Sequence, residues 1–170
     1  AYHIGAMDWQ PNIEAMDWMQ KEIVPEILKQ VPNFQLHFAG RNMPSKFLPS
    51  QQTSFCCKGE VANAAEFIAN KKVLIVPLKA ASGIRIKTLE AMAAGKIVIS
   101  TDIGMQGIEA TDKIHYLRAN IAQEFANAIL WMEQNPTLAT QLKLAAQNFI
   151  KTNYSQPALM LRLVNFIENL

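Results

Sequence analysis

The sequence has little cysteine, no long apolar run and no cluster of basic residues, and each absence excludes a class of protein. Its two cysteines, Cys56 and Cys57, are adjacent, and neighbouring side chains of a strand point to opposite faces. We therefore expect no structural disulfide or zinc site, and a reducing, cytoplasmic compartment. No apolar stretch approaches about 18 residues, so we expect no transmembrane segment.

Charge and composition are those of an ordinary globular domain. The 16 lysines and arginines nearly balance the 14 acidic residues, and this net charge of +2 is scattered along the chain. Without a basic run or an interleaved aromatic stripe, nucleic acid is not an expected partner. Half of the 170 residues are hydrophobic, which excludes disorder and fits one domain over residues 1–170. The first residues contain neither an initiator methionine nor a signal peptide, which predicts that the chain is part of a longer protein.

Strand and helix patterns alternate along the chain. Strands are predicted at residues 2–7, 34–39, 53–57, 73–76, 97–100 and 115–118. Helices are predicted at 13–29 with a kink or restart at Pro25, at 61–70, between 84 and 95, and at 121–134, 136–152 and 156–169. Loops are predicted at 40–52 and 102–107. Because such alternation implies parallel pairing through right-handed crossovers, we predict an α/β fold. It would be a doubly wound, Rossmann-like parallel sheet of about six strands with helices on both faces.

The most distinctive segment is Ser82-Gly83-Ile84-Arg85-Ile86-Lys87-Thr88-Leu89-Glu90, which follows one apolar run and precedes another. This order predicts a strand, a glycine-containing loop, a helix and a further strand. A helix N-terminus offers free backbone N–H groups and a positive dipole end, which suits a phosphate. Arg85 and Lys87 oppose that dipole in the first turn, which suggests that an anion belongs there. The alternative is an ordinary surface helix start.

The predicted topology places this loop where a ligand is expected. In a doubly wound sheet, ligands bind beyond the carboxyl ends of the strands, at the switch point between the first and fourth strands. Here those two ends carry residues 7–12 and 77–83. The glycine-containing loop is therefore a candidate binding site on topology alone.

Three stretches of the chain match sequence blocks of one known family. Residues 5–15 match its first strand and loop, residues 31–40 its second strand, and residues 76–101 its signature block. The chain thereby resembles the C-terminal, donor-binding half of GT-B fold glycosyltransferases of family 4, also called group 1. The resemblance implies that a sugar passes from a nucleoside-diphosphate sugar to an acceptor such as a glycan or lipid-linked glycan, with retention of configuration. It also implies a place in cell-envelope polysaccharide biosynthesis.

The resemblance assigns roles to individual residues. Gly83 and Ile84 would supply N–H groups to the donor diphosphate, Arg85 and Lys87 its countercharge, and Glu90 an acceptor for the ribose hydroxyls. It implies no metal or other cofactor. The remaining residues of the implied pocket, where the segment at 58–61 would contact the nucleobase, are Ser82, Gly5, Asp8, Trp9, Gly40, Arg41, Lys58 and Val61.

The chain departs from the family pattern at two places. Ser82, eight positions before Glu90, stands where the first glutamate of the family's Glu–seven residues–Glu motif is expected, so the donor-sugar contacts are left open. Ala6 and Pro11 stand where many members carry a basic pair, and the cations of the later loop are candidates to replace it.

The resemblance places the acceptor site, any acid/base residue and a possible peripheral membrane association in an N-terminal domain outside this chain. We therefore expect these 170 residues to bind a nucleotide sugar without turning it over alone. Two alternatives stay open: half of a nucleotide-sugar epimerase, and a non-enzymatic doubly wound module such as a receiver domain. The more ordinary interpretations are a surface ion pair between Lys87 and Glu90, a packing role for Trp9, and strand residues without metal-ligand spacing for His3, His37 and His115.

Overall fold

A computed structural model describes residues 1–48 and 54–168. The end of the loop predicted at 40–52, the first residue of the strand predicted at 53–57 and the last of the helix predicted at 156–169 lie outside these ranges. The strands are β1 (Tyr2–Ile4), β2 (Leu36–Ala39), β3 (Phe55–Cys57), β4 (Val73–Val76), β5 (Ile97–Ser100) and β6 (Leu117–Arg118). The helices are α1 (Gln10–Trp18), α2 (Val24–Gln30), α3 (Ala64–Ala69), α4 (Ile86–Ala93), α5 (Asp102–Met105), α6 (Ala122–Gln134), α7 (Pro136–Asn153) and α8 (Gln156–Glu168).

The six strands form one parallel sheet in the order β3-β2-β1-β4-β5-β6. The prediction of a doubly wound sheet of about six strands is thereby confirmed. β1 pairs with β2 through Tyr2 opposite His37 and with β4 through Tyr2 opposite Leu74. The chain adds β2 and β3 on one side of β1 and then crosses to its other side, where it adds β4, β5 and β6. The carboxyl ends of β1 and β4 therefore flank the switch point.

The two central apolar strands, β4 and β5, form the centre of the hydrophobic core. Every residue of β4 and β5 is buried, as expected for parallel strands that are covered by helices on both faces. Helix α2 packs on α6 on one side, and α4 packs on α7 on the other. The helices thus cover the faces of the sheet and leave its carboxyl edge to loops.

The predicted kink at Pro25 takes the form of a π-helical turn. Residues Met19–Ile23 form this turn between α1 and α2, and the N–H of Val24 bonds to the carbonyl of Met19, five residues earlier. Proline has no N–H to donate and clashes with the carbonyl four residues before it. The wider turn just ahead of Pro25 accommodates both problems while the helix continues.

The prediction of a loop over Asp102–Gly107 is wrong for its first four residues. Helix α5 starts directly after β5, with the Thr101 Oγ1 accepting a hydrogen bond from the N–H of Gly104 at 3.0 Å. The same hydroxyl donates to the carbonyl of Leu78 at 2.6 Å, which ties α5 to the loop that follows β4. Gly104 suggests a loop in the sequence, but a Cβ there would lie 2.2 Å from the Ser100 Oγ, so this glycine serves close packing.

The other predicted elements occur, with shifted ends. The strand predicted at 2–7 ends at Ile4, and the strand predicted at 115–118 contains only its last two residues. The helix predicted at 61–70 begins at Ala64, because the Asn63 side chain caps it by accepting from the N–H groups of Ala65 and Glu66. No helix among the described residues is long and apolar enough to cross a membrane.

We predict that Thr101→Val lowers the free energy of unfolding by about 1–2 kcal/mol, because it removes the cap of α5 and leaves buried polar groups unpaired. Urea denaturation followed by circular dichroism measures the effect. Thr140→Val is the matched control, because that threonine is exposed on α7. Equal stability of Thr101→Val and the control would contradict the proposed link between α5 and the β4 loop.

Candidate functional site

The loops that follow β1, β2 and β3 pack side by side at the carboxyl edge of the sheet. The N–H of Gly5 bonds to the carbonyl of Ala39 at 3.1 Å, and the N–H of Gly40 bonds to the carbonyl of Gly59 at 2.9 Å. A Cβ on Gly40 would lie 1.9 Å from the Gly5 carbonyl oxygen, so this approach requires glycine. The predicted pocket residues Gly5 and Gly40 are therefore in direct contact.

The remaining residues predicted from these three loops surround that contact. The N–H of Lys58 bonds to the carbonyl of Phe38 at 2.8 Å while its side chain is exposed, and Val61 follows half-buried. Arg41 lies 3.5 Å from the Asp8 carboxylate, and both side chains are largely exposed. Asp8 and Arg41 therefore pair with each other at the rim.

Trp9 and Arg85 bring the β1 loop and the α4 loop together. Trp9 is the residue that precedes α1, and the guanidinium of Arg85 lies over its ring at 5.1 Å. The same guanidinium donates to the carbonyl of Gly83 at 2.7 and 3.2 Å. A cation over an aromatic face is attracted to its negative quadrupole, so Trp9 holds Arg85 as well as covering the edge of the core.

The turn that was predicted to bind an anion lies at the start of α4. Gly83 adopts a φ of +75°, and Ser82, Gly83 and Ile84 are all exposed. The N–H of Thr88 is the first to bond back to Arg85, at 2.9 Å. The N–H groups of Ile86 and Lys87 precede it and have no acceptor within the helix. The turn therefore presents N–H groups and the positive end of the α4 dipole beside the end of β4.

The amine of Lys87 points towards β1. Its Nζ donates to the carbonyl of Ile4 at 3.0 Å and to the Asn12 Oδ1 at 3.4 Å, and it lies 3.5 Å from the His3 Nε2. Burial, and next the nearby guanidinium of Arg85, lower the pKa of Lys87 from 10.5 to about 7. Lys87 therefore changes charge near neutral pH, which an exposed lysine does not do.

Sequence reasoning did not single out Asn12, and it treated His3 as an ordinary strand residue. Asn12 is buried in the first turn of α1 and donates from its Nδ2 to the carbonyl of Ala6 at 2.8 Å. His3 is fully buried, and its Nδ1 lies 2.7 Å from the carbonyl of Ile75. The histidine within the short apolar strand β1 was the available signal, whereas Asn12 stands among other polar residues and gave none.

Glu90 lies one turn further along α4, with its side chain exposed. Among the ion pairs of residues 1–48 and 54–168, none joins it to Lys87, so the surface-pair interpretation is not supported. Both residues line a cavity of about 320 Å³ between α3 and α4, together with Tyr2 and Ile68. Burial, and next the charge of Glu90, raise the pKa of Tyr2 to about 12. Glu90 is thus a free carboxylate beside a partly apolar cavity.

Larger surface grooves lie away from the switch point. One of about 460 Å³ runs between β6 and α6 and is lined by Arg118 and Trp131, and one of about 660 Å³ lies near Gly95 and Lys143. We assign the site to the switch point because it combines glycine loops, a helix N-terminus and a lysine of shifted pKa. The structure thus brings the predicted loop residues together at the carboxyl edge of the sheet, whereas Glu90 lies beside the cavity between α3 and α4.

A doubly wound sheet with a glycine turn and a helix N-terminus at its switch point is the architecture of Rossmann-like α/β domains. Residues 1–135 match the family model "Glycosyl transferases group 1", and the chain belongs to this family. The predicted family is therefore confirmed.

One curated relative aligns with most of this chain. An uncharacterized 44.6 kDa protein in the cps region of Klebsiella pneumoniae is 23% identical over 163 residues, which cover 89% of this chain. The alignment covers 41% of that relative, so the chain spans about two fifths of its length.

Two solved structures share the fold. The C-terminal domain of the group 1 glycosyl transferase LpcC from Francisella tularensis superposes with a TM-score of 0.68 at 18% identity, covering 91% of this chain and 87% of that domain. Anabaena HepE, solved in complex with UDP, gives a TM-score of 0.73 at 12% identity and covers 99% of this chain and 49% of its own. Both similarities concern the fold.

We predict that Lys87→Met stabilises the protein more at pH 6 than at pH 9. Folding lowers the pKa of Lys87 to about 7, so the unfolded chain holds this proton more tightly and the stability of the unmodified protein rises from about pH 7 towards 10.5. Methionine removes this dependence, and the gain should differ by about 1–3 kcal/mol between the two pH values.

Urea denaturation at pH 6 and pH 9 measures this difference. Leu144→Met, an exposed neutral-to-neutral change on α7, is the control and should give the same effect at both pH values. A pH-independent effect of Lys87→Met would show that the amine is not held in this environment.

Proposed function

We propose that this chain is the donor-binding half of a glycosyltransferase that moves a sugar from a nucleoside-diphosphate sugar to an acceptor. The observation that carries the proposal is the turn from Gly83 to Lys87, which presents N–H groups without a helical acceptor, the Arg85 guanidinium and the Lys87 amine at the switch point. Membership of the group 1 family gives this anion site its chemistry, and the UDP complex of HepE is consistent with a nucleoside diphosphate as ligand.

The residues of the α4 turn, Glu90 and the loop after β3 each have a role in this proposal. The N–H groups of Gly83 and Ile84 bind the diphosphate, and Arg85 and Lys87 offset its charge. Glu90 accepts hydrogen bonds from the ribose. The base packs against the loop of residues 58–61, which contains Gly59. Ser82, in place of a glutamate, lies at the exposed end of the turn, where the donor sugar would extend.

The chemistry follows from the charge that develops during transfer. When the bond from the sugar to the diphosphate breaks, negative charge grows on the leaving oxygen. Fixed N–H groups and cations aimed at that oxygen stabilise the transition state more than the bound substrate. In this proposal no metal is needed, and the anomeric configuration of the sugar is retained. The acceptor, a glycan or lipid-linked glycan of a cell-envelope polysaccharide, is proposed from the family and from the cps-region relative.

Helix α8 supports an additional, acceptor-binding domain as the partner of this chain. Arg162 connects α8 to the rest of the domain, where it bonds to the Asn153 Oδ1 at 3.1 Å and lies 3.9 Å from the Glu109 carboxylate. The large apolar side chains of α8 are exposed, among them Leu163 at 51% and Phe166 at 64%. A row of exposed apolar side chains on one helix is typical of a surface that docks on another domain. Without that domain, the chain would bind the donor but would not catalyse transfer.

Calorimetric titration with UDP, GDP and ADP tests the donor site. We expect saturable binding of one of these, and Glu90→Gln to weaken it about tenfold, because it loses charge-assisted hydrogen bonds to the ribose. Glu133→Gln is the control, since this carboxylate is exposed at the end of α6 remote from the switch point. Absence of binding to all three nucleotides would favour a non-enzymatic module over the transferase half.

The exposed face of α8 gives a second test. The double variant Leu163→Glu/Phe166→Glu should reduce self-association of the isolated chain and binding of a hydrophobic dye, with unchanged nucleotide affinity. Leu144→Glu changes a single exposed leucine of α7 and should have little effect. Dye fluorescence and sedimentation velocity measure the outcome. Equal behaviour of the double variant and the unmodified chain would contradict an apolar docking face on α8.

A further inference from the structure

A fully buried histidine lies directly behind the proposed diphosphate site. The His3 Nδ1 is 2.7 Å from the carbonyl of Ile75, and a carbonyl oxygen only accepts hydrogen bonds. Nδ1 therefore carries the ring proton. Burial, and next the amine of Lys87, lower the pKa of His3 well below 6.5, so the ring is neutral. Nε2 then has a lone pair, which lies 3.5 Å from the Lys87 Nζ.

The amine of Lys87 has three acceptors, all from one side of the switch point. They are the His3 Nε2, the carbonyl of Ile4 and the Asn12 Oδ1. The Asn12 amide donates from Nδ2 to the carbonyl of Ala6, which orients its oxygen towards Lys87. Because a charged lysine has three N–H donors, this set of acceptors matches the ammonium form.

We propose that His3 and Asn12 are positioning residues that hold the Lys87 amine at the carboxyl end of β1, as a cation behind the diphosphate cradle. This inference rests on the proposed function for its ligand. The backbone N–H of Lys87 belongs to the free first turn of α4, while its side chain reaches β1. One residue therefore connects the two loops between which the diphosphate would lie.

The groups around the amine determine how it responds to an anion. His3 on β1 is neutral, Asn12 on α1 is uncharged, and the nearby Tyr2 stays protonated because its pKa is about 12. Arg85, ahead of α4, opposes the charge on Lys87, and Glu90 lies one turn further along the same helix. A diphosphate bound at this turn adds negative charge beside the amine and favours its protonation. Lys87 therefore takes up a proton when the donor binds.

The first measurement follows the Lys87 amine in the free chain, by NMR titration of labelled lysine side chains, with Lys87→Met identifying the signal. The unmodified chain should titrate near pH 7. His3→Asn keeps a donor to the carbonyl of Ile75 but removes the acceptor for Lys87, so the midpoint should fall. His3→Gln places an acceptor near the Nε2 position and should keep the midpoint, although it loses the contact with Ile75.

Asn12→Asp should shift the titration midpoint of Lys87 in the opposite direction. A carboxylate in place of the amide oxygen stabilises the ammonium form, so the Lys87 midpoint should rise. His37→Gln is the control on the neighbouring strand β2 and should leave the midpoint unchanged. The same midpoint in His3→Asn, His3→Gln and the unmodified chain would overturn the positioning role, as would a midpoint near 10.5 in the unmodified chain.

The second measurement is calorimetry of UDP binding at pH 8 in buffers of different ionisation enthalpy. Uptake should approach about one proton per bound UDP, because Lys87 is largely neutral in the free protein at that pH. His3→Asn should weaken UDP binding about tenfold, and His3→Gln should restore it to within about threefold. Equal losses in both variants would indicate a merely structural role.

The two proposals fail in different ways. If the unmodified chain does not bind UDP, the proposed donor site for a uridine nucleotide is wrong, while the lysine titration still decides whether His3 and Asn12 position Lys87. If UDP binds without proton uptake and with equal affinity in His3→Asn, the donor site stands and the positioning role is overturned.

Discussion

The parallel pairing of β1 with both β2 and β4 is the constraint on which the rest of this structure depends. Because the chain leaves β1 in one direction and reaches β4 from the other, the loops beyond these strands diverge and leave an open edge. Gly40 lets the β2 loop lie against the backbone of Gly5, and no larger residue fits there. The edge therefore presents backbone, which is what close binding of a diphosphate requires.

Helix α4 completes this edge at an electrostatic cost. Cations at a helix N-terminus are unfavourable, yet Arg85 and Lys87 lie within the first turn. The structure relieves part of the cost by directing both side chains to acceptors: Arg85 to the carbonyl of Gly83 and the face of Trp9, and Lys87 to the end of β1. What remains is a concentration of positive charge without a carboxylate partner among the described ion pairs, and an anionic ligand would balance it.

Local pattern was enough to predict most of the fold and not enough to predict the contacts of the site. The apolar runs of β4 and β5 and the alternation of strand and helix patterns are local signals, so the sheet could be derived from them. Gly104 suggested a loop because its role, close packing on Ser100, depends on a neighbouring strand. The contact of His3 with Lys87 joins residues 84 positions apart, and periodicity predicts a buried face without naming the partner across it.

The same division explains which residues of the site were predicted. Gly83, Arg85 and Glu90 belong to one continuous segment, so a family resemblance was able to propose them as candidates. Asn12 and His3 act through Lys87, and only the three-dimensional arrangement reveals that connection.

Both the open edge of the sheet and the exposed apolar face of α8 favour a second domain that covers them. Hydrogen bonds and charges stabilise a developing negative charge much more strongly in a site from which water is excluded. Ser82, Gly83 and Ile84 at this edge are exposed, so the N–H groups of the turn act in contact with solvent. A nucleotide can bind in contact with solvent, because its phosphates are themselves well hydrated. Transfer of the sugar to an acceptor instead of to water requires that water be excluded. A second domain that covers the edge would strengthen the electrostatics and exclude hydrolysis at once. The uncovered face of α8 provides the apolar area to hold such a domain in place.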